Sequence, residues 1–342
     1  TVTAVTIGLG IVNLVKPGNT VSDQTREELV AAYAEDAASK QALANQQKEA
    51  GPLQALVDIV PDNIFKATTD NGNMLQVIFF AIFFGIGLIL IPEKKAQPVK
   101  AFFDAFNEVI LKLIDLIMLA APYGVFALLA ALVVEAPSPD LFNALGLYTL
   151  CVLLGLFLMI VFYVVLVSIF TKKSPRFFLN GITPAQLLAF STSSSAATLP
   201  VTMERVQEHL GVEEEVSSFV LPIGTTINMD GTAIMQGVAT VFIAQAFNVD
   251  IGLTGYLMVI LTATMASIGT AAVPGVGLIT LALVLTQVGL PVEGIALIIG
   301  VDRLLDMTRT VVNVVGDATV SSVVARSEGQ FEDEIFAAES AR

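Results

Sequence analysis

Of 342 residues, 55% are hydrophobic and only 14% charged, with a mean hydropathy of +0.78, which is far from the balance of a soluble domain. The formal net charge of −14 does not argue for a nucleic-acid partner, and none is expected. The single cysteine, Cys151, can form no internal disulfide and reads as a packing residue in an apolar run.

In chain order, residues 1–17 ("TVTAVTIGLGIVNLV" and its "KP" end) fall short of the roughly 20 apolar residues a span needs and read as a partial transmembrane helix. The chain opens at Thr1, so the expectation is that further residues of the protein precede it. Residues 18–51 are polar and read as an exposed helical loop outside the cell. Residues 52–134 hold a span from Met74 to Ile91, a charged loop "PEKKAQPVK", and a long helix over 101–134 with Pro122 near its far end. Residues 135–180 hold a clear span, uncharged from Phe142 to Phe170 and closed by "TKKSPR". Lys94, Lys95 and Lys100, and then Lys172, Lys173 and Arg176, mark cytoplasmic loops. The loops near 247–252 and 290–295 carry no Lys or Arg and read as external.

Residues 181–327 break the pattern of simple spans. The segment 181–210 has two helical stretches, each opened by a proline (Pro184, Pro200), around a serine tip. It reads as a re-entrant hairpin from the cytoplasmic side. A broken helix follows over 213–246, interrupted by "NMDGT", where Gly231 is expected to permit unwinding. The uncharged run from Ile251 to Val292 would be about 63 Å long as one helix, twice the ~30 Å bilayer core. "SIGTAAVPGVG" interrupts it, so 251–289 reads as a second hairpin entering from outside, and 293–326 as a last crossing helix. Residues 328–342 read as a cytoplasmic tail. The predicted fold class is an all-α polytopic membrane protein, built from inverted repeats of re-entrant helical hairpin plus broken transmembrane helix. Irregular backbone at membrane depth is tolerated only where protein or a wet cavity satisfies it.

The chemistry lies in "DRLLDMTRTVVNVVGD". Asp302, Asp306, Arg309, Asn313 and Asp317 fall within an arc of about 80° at 100° per residue, with Thr310 at its border and Arg303 off it. Such a stripe on an apolar helix has to face protein or water. Either it is an ion-pair network joining helices, or the excess acid binds cations. Asp230 adds another buried acid beside Asn228, Thr226 and Thr232, either as the cap of a helix kink or as part of an oxygen-rich cation site. The serines at 193–195 offer hydroxyls and amides to an anion, or are a linker.

"SSSAATLPVTM", "LPIGTTINMDGTA", "ASIGTAAVPGVG" and "DMTRTVVNVVGD" occur in an order and spacing that resembles the glutamate/aspartate transporter family, the dicarboxylate/amino acid:cation symporters, and its sodium-coupled prokaryotic members. The resemblance implies a homotrimer in the plasma or inner membrane whose transport core (181–327) moves past scaffold and trimerisation spans (52–134) like an elevator, with the second hairpin as external gate. It implies that Arg309 pairs with the substrate's side-chain carboxylate and Asp306 with its ammonium. Thr232, Asn313, Ser194 and Ser195 would hold the α-carboxylate, with Val273 and Gly277 in the covering tip and Thr310 beside them. It implies one sodium site at Asp317 with carbonyls of Gly224, Asn228 and Asn313. A second would use carbonyls of Thr226, Ser267, Ile268 and Thr270 around the Met229 sulfur. A third would use Asn228, Asp230 and hydroxyls of the first span, where Thr1 matches one of a hydroxyl pair. The chain departs from the family at Ala196 (often serine), Ala272 (glycine) and Gln236, where animal glutamate carriers hold a protonatable glutamate.

The implied function is inward symport of L-aspartate or L-glutamate with sodium as coupling ion and no other cofactor. The alternative is a proton-coupled C4-dicarboxylate carrier or a neutral amino acid carrier of the same family. An intramembrane protease is disfavoured, because no GxGD or GxSxG occurs and the only histidine, His209, reads as solvated. A passive channel would not need the Asp306–Arg309 pair.

Overall fold

A computed structural model describes residues 1–22, 60–69, 74–106, 139–269 and 274–331, with single helical positions at 109, 112 and 123. Most of the expected 18–51 loop, the far part of the 101–134 helix, the second tip at 270–273 and the tail from 332 lie outside the described residues. The described residues are helical throughout and hold no strand, only an isolated antiparallel bridge between Val212 and Phe331.

The helices that matter for the site are α1 (Val2–Val15), α2 (Met74–Leu90), α3 (Pro139–Thr171), α4 (Pro175–Gly181), α5 (Thr183–Thr192), α6 (Ser195–Glu208), α7 (Glu214–Ile227), α8 (Asp230–Ala246), α9 (Gly252–Gly269), α10 (Val276–Gln287) and α11 (Ile295–Glu328). Their boundaries follow local chemistry. The Ser174 hydroxyl accepts the Phe177 N–H at 3.2 Å, with Pro175 opening α4. Ser193, with φ 53°, turns the chain out of α5, and the Ser194 hydroxyl accepts the Ala197 N–H to start α6. The first tip is therefore only Ser193 and Ser194.

Three expectations need correction. "PEKKAQPVK" is not a loop, since residues 93–106 are helical. Pro200 does not open a helix but lies inside α6, because the Ser194 cap starts that helix earlier. His209 is half-buried rather than solvated, with Nε2 2.6 Å from Arg205 Nη1.

The core sits around α8, of whose residues only Gln245 is not buried. α1, α3, α9, α10 and α11 pack on it, and α11 packs in turn on α3, α5, α6 and α7. Ala185 and Ala189 of α5 meet Val314 of α11, so small residues bring the first hairpin close to the polar stripe. α9 and α10 pack on each other, and α2 packs on α9 and on the short helix Ile64–Ala67. The outer face of α3 exposes Leu150, Leu154, Phe157, Val161, Val165 and Ile169, a continuous apolar surface suited to lipid. Among the described residues, Asn143–Thr171 is long and apolar enough to cross a membrane, and shorter apolar helices run over Gly252–Ser267 and Val276–Gln287.

Candidate functional site

The stripe on α11 faces inward: Asp302, Asp306, Arg309, Thr310, Asn313 and Asp317 are all buried, while Arg303 is exposed. Arg309 has no exposed surface. Its Nη1 donates to Asp302 Oδ1 at 2.8 Å and its Nη2 to Asp306 Oδ1 at 2.7 Å. A guanidinium in this interior is tolerable only when paired, and the planar fork lets two carboxylates of the same helix share it. Its Nε has no partner among the described residues. The Thr310 hydroxyl is committed to the Asp306 carbonyl at 2.9 Å.

The start of α10 lies against this group. The Gly275 N–H donates to Asp306 Oδ2 at 3.0 Å, and a Cβ on Gly277 would sit 3.2 Å from Arg309 Nη2. On another side lies the start of α8. The Gly231 N–H donates to Asn313 Oδ1 at 2.8 Å, and a Cβ on Gly231 would stand 2.4 Å from the Arg309 carbonyl oxygen. Gly231 therefore does not unwind the helix as expected. It lies within α8 and lets two backbones touch, while the break falls on Asn228 and Met229.

Below this pair of contacts lies a second polar group. Asn228 Nδ2 donates to Asp317 Oδ1 at 3.0 Å, and Asp317 Oδ2 has no partner among the described residues. A Cβ on Gly224 would lie 2.7 Å from Asp317 Oδ1, so α7 backs the carboxylate. Asp230 Oδ1 accepts from Thr1 Oγ1 at 2.8 Å, and Oδ2 accepts from the Tyr163 hydroxyl. Carboxylate, amide and hydroxyl oxygens gathered around helix ends suit a hard cation. Among the described residues no three of His, Cys, Asp and Glu gather as a soft-metal site would require.

The expected residues therefore fall into groups. Asp306, Arg309 and Gly277 meet, as do Asn313 with Gly231, Asp317 with Asn228 and Gly224, and Asp230 with Thr1. Ser195, Thr232 and Met229 are buried, and among the described residues no side-chain hydrogen bond ties them to the stripe. The Ser194 hydroxyl caps α6. Thr226 is exposed with its hydroxyl on the Ile223 carbonyl at 3.1 Å, and Ser267 is buried with its hydroxyl unpartnered. Thr270, Val273 and the side chain of Ile268 lie outside the described residues. Gln236 bridges α8 to α10 through Thr280 Oγ1 at 2.7 Å.

Two residues of the site were not assigned roles from sequence. Asp302 lies on the stripe itself, two turns before Arg309, so the wheel could have named it as partner. Tyr163 gave no signal, because a lone tyrosine in an apolar span has no periodicity.

A model of the sodium:dicarboxylate symporter family matches residues 1–327. The chain is 38% identical over 289 residues to excitatory amino acid transporter 4 of Rattus norvegicus, covering 82% of this chain and 50% of that protein. It is 42% identical over 259 residues to excitatory amino acid transporter 3 of Homo sapiens, covering 75% and 49%. Against excitatory amino acid transporter 2 of Rattus norvegicus it is 40% identical over 310 residues, covering 88% and 52%. The chain thus spans about half the length of the curated relatives it matches. What that family and those relatives name is transport, not catalysis.

Proposed function

Because the chain belongs to the sodium:dicarboxylate symporter family, we propose that it forms the substrate-handling part of a secondary active symporter that carries L-aspartate or L-glutamate inward with sodium. One observation carries the reading: a fully buried guanidinium, Arg309, is clamped by Asp302 and Asp306 directly beneath the second hairpin. An incoming side-chain carboxylate would replace one of those acids on the fork, and the displaced Asp306 would face the substrate ammonium. Ser194, Ser195, Thr232 and Asn313 line the approach for the α-carboxylate, with Val273 and Gly277 above it and Thr310 beside it. Sodium, as cargo, would be held by Asp317 with Gly224, Asn228 and Asn313, by Asp230 with Asn228 and Thr1, and by carbonyls of Thr226, Ser267, Ile268 and Thr270 near Met229. The unpartnered Asp317 Oδ2 supports the first of these.

The two hairpins, 181–210 and 251–289, are re-entrant in this reading, and with the broken helix 213–246 and the helix 293–326 they form one transport core. That core packs as a unit around α8, while α2 packs on α9 and on the short helix Ile64–Ala67, which supports an elevator motion past a scaffold at 52–134. The protein would work as a homotrimer in the plasma or inner membrane.

Counterflow in proteoliposomes tests the assignment. Native protein loaded with unlabelled L-aspartate should accumulate labelled L-aspartate or L-glutamate only when sodium is present. One observation favours a second reading, a proton-coupled C4-dicarboxylate carrier: both Asp306 oxygens already have donors, Arg309 and the Gly275 N–H, so no ammonium is required there. Succinate that outcompetes aspartate without sodium would establish that reading instead.

A further inference from the structure

Tyr163 stands in an apolar stretch of α3, between Phe162 and Val164, and is 4% exposed. A buried phenol hydroxyl needs a partner, and here the partner is a carboxylate: it donates to Asp230 Oδ2. The opposite oxygen of Asp230 accepts from Thr1 Oγ1, so both are directed. The phenol is also pressed against α11. A Cβ on Gly316 would lie 2.6 Å from Tyr163 Oη and 2.6 Å from Asn228 Nδ2, so only glycine leaves room for both groups. Asn228 in turn donates to Asp317 Oδ1. Tyr163 of α3 and Asn228 of the helix break thus gather over one glycine, each holding one buried carboxylate. Among the described residues no Lys or Arg side chain is paired with Asp317.

We propose that Tyr163 is a positioning residue of the cation site: its hydroxyl fixes Asp230 in one orientation and thereby sets the affinity for a monovalent hard cation, independently of the Arg309 group. The inference rests on the reading that sodium is carried. A carboxylate held by an outer hydrogen bond meets the ion already oriented, whereas a free one must be ordered as the ion binds. Outer hydrogen bonds of this kind change metal affinity roughly tenfold or more when removed. Among the described residues Tyr163 makes no hydrogen bond to Arg309, Asp306 or the helices α5, α6, α9 and α10, so its removal should leave amino acid discrimination alone.

The test is the sodium dependence of thermal unfolding of the native protein in detergent, with choline chloride holding ionic strength constant. An ion that binds only the folded state raises the melting temperature with its concentration. In Tyr163→Phe, which keeps the ring and loses the hydroxyl, the sodium midpoint should rise roughly tenfold. The ratio of L-aspartate to L-glutamate affinity at saturating sodium should not move. Tyr163→Met, which also loses the hydroxyl and fills the space with a flexible apolar side chain, should shift the midpoint in the same direction, and it decides the matter if Tyr163→Phe does not fold. A melting temperature that falls equally at every sodium concentration, with an unmoved midpoint, would show a merely structural tyrosine and overturn the inference. A wild-type protein that does not respond to sodium would overturn the sodium reading and this inference with it.

Discussion

A guanidinium without solvent has to be neutralised where it stands, and Arg309 has two carboxylates to do it. Its burial separates two roles that a single substitution would confuse. Arg309→Cys removes the group that would hold an acidic side chain, and it also leaves Asp302 and Asp306 buried as unpaired anions. Breaking a buried pair from one side costs about 3–5 kcal/mol. The single variant should therefore lose acidic substrate binding, more than a hundredfold on the ~3 kcal/mol scale of a charged hydrogen-bonded contact, and melt well below wild type. Adding Asp302→Asn should restore part of the stability, because it removes one of the two unpaired anions, without restoring L-aspartate binding. Calorimetry and a binding titration on the two variants check both halves. Recovery of aspartate binding in the double variant would mean that Arg309 serves only the fold.

At the scale of elements, the contact between α8 and α11 depends on Gly231, whose Cβ would stand 2.4 Å from a backbone oxygen that cannot rotate away. Gly231→Ala should therefore push α8 off α11, stretch the bond to Asn313 and cost about 1–3 kcal/mol as an overpacked core does. A lowered melting temperature together with weakened sodium and substrate binding is the expected result, and wild-type values for all three would rule out this close approach. Sequence foresaw the helices around this contact but not the contact. That Ile251–Val292 holds two helices, α9 and α10, is legible because the run is too long for one crossing and carries glycines and a proline in its middle. The stripe was legible because 100° per residue gathers its polar side chains. Gly231 was misread as a point of unwinding, because what a glycine permits depends on which backbone lies opposite, and no pattern along one chain gives that. Tyr163 was illegible for the same reason, since its partner is far away in sequence. The helical residues 93–100 read as a loop in sequence because lysines and prolines outweigh helical periodicity when the packing partner is unknown.

Across the whole molecule, the polar groups lie where helices end: the first tip at Ser193–Ser194, the break at Asn228–Met229, and Gly275 at the start of α10. Amides there lack a partner within their own helix and depend on side chains, as the Gly275 N–H depends on Asp306 and the Gly231 N–H on Asn313. Cargo bound among them should order these places first. The helix interiors of α8 and α11 are already buried and hydrogen-bonded, so they have little protection left to gain. α2 lies to one side, packed on α9 and on the short helix Ile64–Ala67 and exposing Phe80, Phe83 and Phe84, so it should not sense the cargo. Hydrogen–deuterium exchange with and without sodium and L-aspartate measures this. Slowed exchange should appear at 193–197, 228–231 and 275–278 and be absent across Met74–Leu90. Equal slowing in α2 would mean that cargo tightens the molecule as one body, and the division into a moving core and a fixed scaffold would have to be given up.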